Sequence, residues 1–326
     1  MANVAYSNAR AKSFENYLLG EDRINRLIDC TKPEDALKIL SEVNFGDGIT
    51  LTSALDFEQL LSAEKKKLFA FIKEDCASLA FADFILLKND FHNAEALIKA
   101  KHLKIDVEEI LEVDGRFDVD KMKEKIFEDD YSEFPVHLKT ALEKCDLEFI
   151  EEKATGSSIA SIFSKGYFAQ IKECTKLNPL ITEIYNVKAD FANVGVALRL
   201  RDFSVAKNYF VPFGKITQLE LQTLCEEQLE ALPDKFKLCY ISEFITLAVE
   251  TTVKGQPLSA FEKKAESYAV ERMLKQKYET RGILPFVQYC YYKLADISNV
   301  RIIMVGLING LSKTDIRNRI RSYYER

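Results

Sequence analysis

The sequence is poor in the residues that most often carry catalytic or metal chemistry. It contains no tryptophan and only three histidines, His92, His102 and His137, among 326 residues. These histidines form no H-x-x-x-H pair and no His/Cys grouping typical of a metal site. The sequence therefore predicts no metal site, no cofactor and no catalytic centre.

Paired cysteines are also missing. The seven cysteines are odd in number, widely spread and never in a C-x-x-C pair, which argues against a disulfide framework and a zinc site. We expect them to be small buried residues in a reducing cytosol. They are Cys30, Cys76, Cys145, Cys174, Cys225, Cys239 and Cys290.

Turn residues and long apolar runs are few. Twelve glycines and seven prolines leave little material for the turns of an all-β fold. The densest apolar stretch, Ile302 to Ile308, is far shorter than the ~20 residues of a membrane-spanning helix. The segment Met1 to Arg10 lacks the apolar core of a secretion signal. The net charge of -6 argues against nucleic acid as a partner. We expect a soluble, cytosolic protein that reaches membranes only at their surface or through a partner.

Helix signals recur along the chain and predict an all-α fold. Apolar residues follow helical spacing in segments such as 79–85 and 91–98. A hydroxyl residue followed three positions later by an acid predicts a capped helix N-terminus. This pattern occurs at Thr31-x-x-Glu34, Thr217-x-x-Glu220, Ser259-x-x-Glu262 and, in a weaker form, Ser312-x-x-Asp315.

An internal repeat relates two parts of the chain at an offset of 100 residues. Asp90-Phe91-His92-Asn93 recurs as Asp190-Phe191-Ala192-Asn193, and the basic pair Lys99 and Lys101 recurs as Arg199 and Arg201. The match extends to a following turn, since Gly115-Arg116-Phe117-Asp118 corresponds to Gly214-Lys215-Ile216-Thr217. Such a colinear match indicates two diverged copies of one helical module.

A third and weaker copy is Asp296-Ile297-Ser298-Asn299, where Val305 and Leu307 replace the basic pair. Asp and Asn three residues apart share a helix face and can hydrogen-bond a neighbouring segment. Since buried polar groups persist only when paired, we expect these residues to be structural determinants of the fold. They are Asp90, Asn93, Asp190, Asn193, Asp296 and Asn299. The copies predict three helical modules, 1–112, 113–210 and 211–326.

Two further patterns have a structural interpretation. Gly214-Lys215 resembles the end of a phosphate-binding loop, but Tyr209 stands at the leading Gly position and Ile216 where Ser or Thr is required. We expect a turn with a helix cap at Thr217 instead.

Residues 106–133 hold twelve acids and four bases, while residues 301–326 hold six bases and two acids. Such runs are usually solvated faces, and docking surfaces are the alternative.

Several segments together resemble the central-stalk adaptor family of V-type/A-type ATPases, which is called the C subunit in prokaryotes and the d subunit in the eukaryotic vacuolar pump. The resemblance spans nearly the whole chain, and its specificity lies in the order and spacing of the segments. These are the opening stretch 4–12 with Tyr17-Leu18-Leu19, the two Asp-Phe-x-Asn helices, and Gly282-Ile283-Leu284-Pro285-Phe286 leading through Tyr289 to the stretch 296–301.

The resemblance implies three similar helical domains in a pseudo-threefold, funnel-shaped arrangement. It implies a non-catalytic rotor subunit on the cytoplasmic face of the membrane, with the central-shaft subunits and the membrane rotor ring as partners. Its role would be to couple shaft rotation to proton or sodium transport during ATP hydrolysis or synthesis. The family motifs do not identify individual interface residues.

Two other functions remain open from the sequence. The chain could be an unrelated cytosolic helical-repeat scaffold, which needs soluble partners. It could also be an enzyme whose site is built from scattered polar residues such as Tyr289, Tyr291 and Tyr292, which needs a pocket with perturbed titratable groups. We expect these tyrosines to pack in a helical core instead.

Overall fold

The computed structural model describes residues 3–112, 115–175 and 178–324, with the side chains of residues 174 and 175 excepted. Over these ranges the chain forms α-helices and short 3-10 turns, and no residue lies in a β-strand. This confirms the predicted all-α class. The chain divides into two compact units, one made of Met1–Ala82 with Glu266–Arg326 and the other of Asp83–Ala265.

The first unit joins segments from both ends of the sequence. Its helices are α1 (Val4–Phe14), α2 (Gly20–Asp29), α3 (Pro33–Ser41), α4 (Phe57–Asp75), α15 (Leu284–Ile308) and α16 (Lys313–Arg319). Apolar residues occupy nearly every face of α15, which packs on α1 and α4. Because a helix that is apolar all round is buried in a core, α15 forms the centre of this unit.

The boundaries between the two units fall within two helices, α5 (Leu79–Leu103) and α14 (Ser259–Leu274). The helices wholly within the second unit are α6 (Val119–Phe127), α7 (Val136–Ile150), α8 (Gly156–Thr175), α9 (Pro179–Leu200), α10 (Phe203–Ala206), α11 (Gln218–Glu226), α12 (Leu232–Lys235) and α13 (Ser242–Val253). The side chains of α9 are buried over most of its length, and it packs against α8, α10, α11 and α13. The second unit is therefore built around α9.

The predicted helix caps are confirmed at two positions. Thr217 accepts from the Glu220 N–H at 3.3 Å, and the Glu220 carboxylate accepts from the Thr217 N–H at 2.7 Å, which completes the capping box of α11. Ser312 caps α16 by accepting from the Asp315 N–H at 3.1 Å.

The other two predicted caps are wrong. Pro33 occupies the first helical position of α3, so the cap position falls on Lys32 and Thr31 lies one residue too early. Ser259 already lies inside α14, because the Glu262 N–H donates to the Leu258 carbonyl at 2.9 Å. The Glu262 carboxylate instead pairs with Arg199.

The cysteines differ in burial. Cys145, Cys225 and Cys290 are buried as predicted, whereas Cys30, Cys76 and Cys239 are half-buried. The prediction for Cys174 concerns a side chain outside the described part of the structure. None of the helices in the described ranges has the length and apolar character needed to cross a bilayer.

Candidate functional site

The first Asp-x-x-Asn motif lies on α5 and binds the backbone of the segment that follows this helix. Asp90 accepts from the Arg116 N–H at 2.8 Å and from the Phe117 N–H at 3.1 Å. Asn93 donates to the Glu112 carbonyl at 2.7 Å and accepts from the Glu112 N–H at 2.8 Å. One helix face thus fixes two points of the connecting loop through four hydrogen bonds.

The second motif repeats this geometry on α9. Asp190 accepts from the Lys215 N–H at 2.7 Å and from the Ile216 N–H at 3.1 Å. Asn193 donates to the Val211 carbonyl at 3.1 Å and accepts from its N–H at 2.8 Å. The repeat predicted from the sequence therefore extends to the turns that the helices bind. N–H groups of the two Gly-containing turns donate to the equivalent aspartates, Asp90 and Asp190. We refer to each such set of bonds as a backbone clamp.

The third motif, on α15, forms a clamp with segments from two distant parts of the sequence. Asn299 donates to the Arg321 carbonyl at 3.1 Å and accepts from the Arg321 N–H at 2.7 Å. Asp296 accepts from the Leu19 N–H at 3.0 Å, across 277 positions of sequence. The Leu19 N–H thus donates to the clamp aspartate, as the N–H groups of Arg116 and Lys215 do in the other two clamps.

The glycine in each of the first two turns is required by the closeness of the clamp aspartate. A Cβ on Gly115 would overlap Oδ1 of Asp90, and a Cβ on Gly214 would overlap Oδ1 of Asp190. Gly214 also has a φ of +90°, which L side chains rarely adopt. The glycines allow the backbone N–H groups to reach the carboxylate.

The clamp aspartates are fully buried, and the surroundings of Asp190 and Asp296 differ. Burial raises the pKa of Asp190, while hydrogen bonds from the Tyr240 hydroxyl and from two backbone N–H groups oppose that rise. Burial raises the pKa of Asp296 to about 6, and the nearby Lys293 charge only partly offsets it. Oδ1 of Asp296 has no hydrogen-bond partner among the described residues. The Asp296 carboxylate is therefore less well satisfied than that of Asp190.

A buried ion pair lies near the third clamp. Lys293, on α15, pairs with Glu64, on α4, and their side chains are 4% and 2% exposed. Glu64 also accepts from the Gly46 N–H at 2.8 Å, and the Lys293 ammonium lies 4.9 Å from the centre of the Phe45 ring. Sequence reasoning missed this pair, because nothing in the local sequence marks either residue as buried.

The basic pairs that follow the first two motifs bind different partners. Lys99 pairs with Glu95 at 2.5 Å, and Lys101 lies 3.3 Å from Asp146. Arg199 pairs with Glu262. Arg201 donates to the carbonyls of Leu224 and Glu227 at the end of α11, where cations are favourable.

The clamp side chains are engaged in holding backbone in place. The N–H groups of the Gly214-Lys215 turn that would face a phosphate donate to Asp190, in agreement with the predicted turn. Among the described residues, no three His, Cys, Asp or Glu side chains are grouped to hold a metal ion. These hydrogen bonds support the prediction that the clamp residues are structural.

The tyrosines considered for an enzymatic site lie in or beside the core. Tyr289 and Tyr292 are buried, and burial raises the pKa of both phenols. The Tyr289 ring meets Phe71 edge-on at 5.4 Å between centroids. Tyr291 is half-buried. Phenols with raised pKa values are poor bases near neutral pH.

The basic tail forms ion pairs inside its own unit. Arg301 pairs with Glu58 at 2.7 Å, and Arg321 pairs with Glu266 at 2.6 Å. Lys313 and Arg317 both pair with Asp29, at 3.2 and 3.1 Å. Arg326 lies outside the described residues. These pairs favour the interpretation of the tail as a solvated face.

A protein-family model described as ATP synthase (C/AC39) subunit matches residues 7–319. The match includes all six predicted fold determinants and most of both segments of the first unit. It covers nearly the whole chain.

Curated relatives show the same similarity at low identity. The C subunit of the A-type ATP synthase of Methanocaldococcus jannaschii is 22% identical, with 98% of this chain and 86% of the relative covered. The C subunit of the V-type sodium ATPase of Enterococcus hirae is 21% identical, with 98% of both chains covered. The C subunit of the V-type ATP synthase of Thermus thermophilus is 22% identical over 63% of this chain and 66% of the relative.

Proposed function

The chain belongs to the ATP synthase (C/AC39) subunit family, the C-subunit family of V/A-type ATPases, and we propose that it is the non-catalytic central-stalk rotor subunit of such a complex. In this role it couples the rotating central shaft to the ion-translocating ring of the membrane. Ion transport, of protons or sodium, is thereby linked to ATP hydrolysis or synthesis.

The match over residues 7–319 is the observation that carries this proposal. The clamps support it, because a coupling subunit must transmit torque through a rigid body. In each clamp, backbone N–H groups of a loop or chain segment donate to buried side chains of a long helix. Buried polar networks rigidify a fold where their groups are paired, as the aspartates of the first two clamps are.

We further propose that the three modules, 1–112, 113–210 and 211–326, form the pseudo-threefold, funnel-shaped arrangement implied by the resemblance. The threefold occurrence of the clamp supports this. The third clamp, closed by Leu19 and Arg321, gives a reason for the first segment to pack with the third module. Scattering from the purified chain in solution, compared with profiles of compact and funnel-shaped assemblies, tests the arrangement.

The proposed position is peripheral, on the cytoplasmic face of the membrane. The partners there are the central-shaft subunits on one side and the rotor-ring subunits on the other. The names of the relatives support an ion-translocating complex, since one of them belongs to a sodium ATPase.

Affinity purification of the tagged chain from gently detergent-solubilised cells tests the proposal. We expect shaft and ring subunits to co-purify in stoichiometric amounts. Recovery of soluble partners alone would contradict it and support the helical-repeat scaffold. Recovery without any partner would also contradict it.

A further inference from the structure

An apolar groove in the second unit lies between the end of α5, the loop after it and α6. It encloses a cavity of about 480 Å³, within the range of small binding pockets. Its apolar walls are Leu97, Ala100, Ile105, Val107 and Phe127. We call these five residues the α6 groove.

The outer wall of the groove is exposed to solvent. The exposed fractions of Ile105 and Phe127 are 49% and 46%. Leu103 and Ile110, next to the groove in sequence, are also exposed. Exposed apolar residues gathered around a cavity are typical of interaction sites.

The exposed face of α6 beside the groove carries acids at helical spacing. Asp120, Glu124 and Glu128 follow one another at intervals of four residues, so they share one face with Phe127. Like charges at this spacing destabilise a helix, and an acid at a helix C-terminus, such as Glu128, opposes the helix dipole. Lys123, three residues after Asp120, and Lys125, three residues before Glu128, offset part of this repulsion.

The cations around the groove pair mainly with other acids. Lys123 pairs with Glu108 at 3.0 Å, Lys125 pairs with Asp130 at 2.5 Å, and Lys101 pairs with Asp129. Among the described residues, the salt bridges of the α6 lysines involve none of Asp120, Glu124 and Glu128. The acids Asp106 and Glu109 add to the negative charge of this face. Two further lysines lie here, Lys104 in the lining of the groove and Lys121 on α6. Against these two stand five acids, Asp106, Glu109, Asp120, Glu124 and Glu128, so an excess of carboxylates remains.

We propose that the α6 groove docks a basic, amphipathic segment of a central-shaft subunit, with an apolar side chain in the groove and Lys or Arg side chains on Asp120, Glu124 and Glu128. This inference rests on the proposed function, which supplies the shaft as a partner. The acids steer the basic segment to the groove and relieve their own repulsion on binding.

The charge of this face distinguishes the shaft from the membrane as its partner. Anionic lipid headgroups repel carboxylates and attract basic segments. The excess of carboxylates beside the groove therefore favours a protein segment of positive charge as its partner.

Binding of the full-length chain to the isolated shaft subunits of the same complex tests the proposal, at low and at high ionic strength. The groove variant is Asp120→Asn/Glu124→Gln/Glu128→Gln. The control variant removes the same charge at three exposed acids elsewhere: Glu21→Gln/Glu34→Gln/Glu250→Gln. A second groove variant, Phe127→Ala, removes the apolar contact without changing charge.

We expect the groove variant to raise the Kd roughly tenfold at low salt, chiefly through slower association. High salt should reduce the difference between this variant and the wild type. The control variant should stay within about twofold, and Phe127→Ala should raise the Kd through faster dissociation. Circular dichroism checks that every variant is folded.

The outcomes separate this inference from the proposed function. If the wild type binds the shaft and both groove variants bind equally well, the groove is not the docking site. If the control variant loses as much affinity as the groove variant, only net charge matters and the inference is also overturned. Wild-type binding to phosphatidylserine vesicles that depends on the groove would assign it to the membrane. If the wild type does not bind the shaft at all, the proposed function itself fails.

Discussion

The clamp on α9 gives a direct prediction for Asn193→Ala. Asn193 and its partner Val211 are both buried. The side chain satisfies both the N–H and the carbonyl of Val211, at 2.8 and 3.1 Å. Alanine can form neither bond, so the buried N–H and carbonyl of Val211 both lose their hydrogen-bond partner.

A buried polar group left without a partner costs about 1–3 kcal/mol. With two such groups and partial relaxation of the loop, we expect the free energy of unfolding to fall by about 2–5 kcal/mol. Urea denaturation followed by far-UV circular dichroism measures this loss. Amide hydrogen exchange at Val211 should accelerate by a corresponding factor, because the clamp protects that N–H.

Asn208→Ala is the matched control. Asn208 lies in the same loop, is exposed, and uses its carbonyl, which alanine keeps, to accept from Ser161 and Lys165. We expect a change within ~0.5 kcal/mol, as for other surface substitutions. A loss of less than ~0.5 kcal/mol for Asn193→Ala, against the 1–3 kcal/mol of an unpaired buried group, would refute the assignment of the motif as a fold determinant.

Three further predictions test the turn of the α9 clamp, the third clamp and the buried pair. Gly214→Ala forces a Cβ against Asp190 at a φ of +90°, and we expect a loss of about 1–3 kcal/mol by urea denaturation; a neutral result would contradict the close approach. Because the pKa of Asp296 is about 6 when folded and near 4 when unfolded, the folded state binds the proton more tightly. Wild-type stability should therefore rise as pH falls from 7 to 5, by about 1 kcal/mol relative to Asp296→Asn, and parallel pH profiles of the two proteins would exclude this. Lys293→Met should cost about 3–5 kcal/mol by leaving Glu64 buried without its partner, and adding Glu64→Gln should recover most of the loss; additive losses in this double-mutant cycle would show that the pair is not coupled.

The first two clamps could be predicted in part from the sequence. The repeat at an offset of 100 residues includes both the Asp-Phe-x-Asn helices and the turns that they bind. Helical spacing places Asp and Asn on one face. What the sequence did not show is that the turn N–H groups themselves are the partners of the aspartates.

The Asp296 contact of the third clamp could not be predicted, because its partner is remote in sequence. Asp296 and Leu19 are separated by 277 positions, and no local pattern connects them. The same holds for Lys293 and Glu64, whose burial follows from the packing of α15 on α4.

The misplaced caps, in contrast, have local causes. At Thr31 a proline occupies the first helical position and moves the cap to the next residue. At Ser259 the helix has already begun, and the carboxylate expected to complete the cap is engaged by Arg199. Both errors concern where a helix begins and leave its presence unaffected.

Ion transport by the reconstituted complex, with and without this chain, tests the coupling role most directly. The complex is placed in lipid vesicles, and ATP hydrolysis and ATP-driven ion uptake are measured together. Without the chain, we expect hydrolysis to continue while ion uptake is lost, and we expect added chain to restore uptake. Ion uptake that persists at an unchanged ratio to hydrolysis in the absence of the chain would contradict the coupling role.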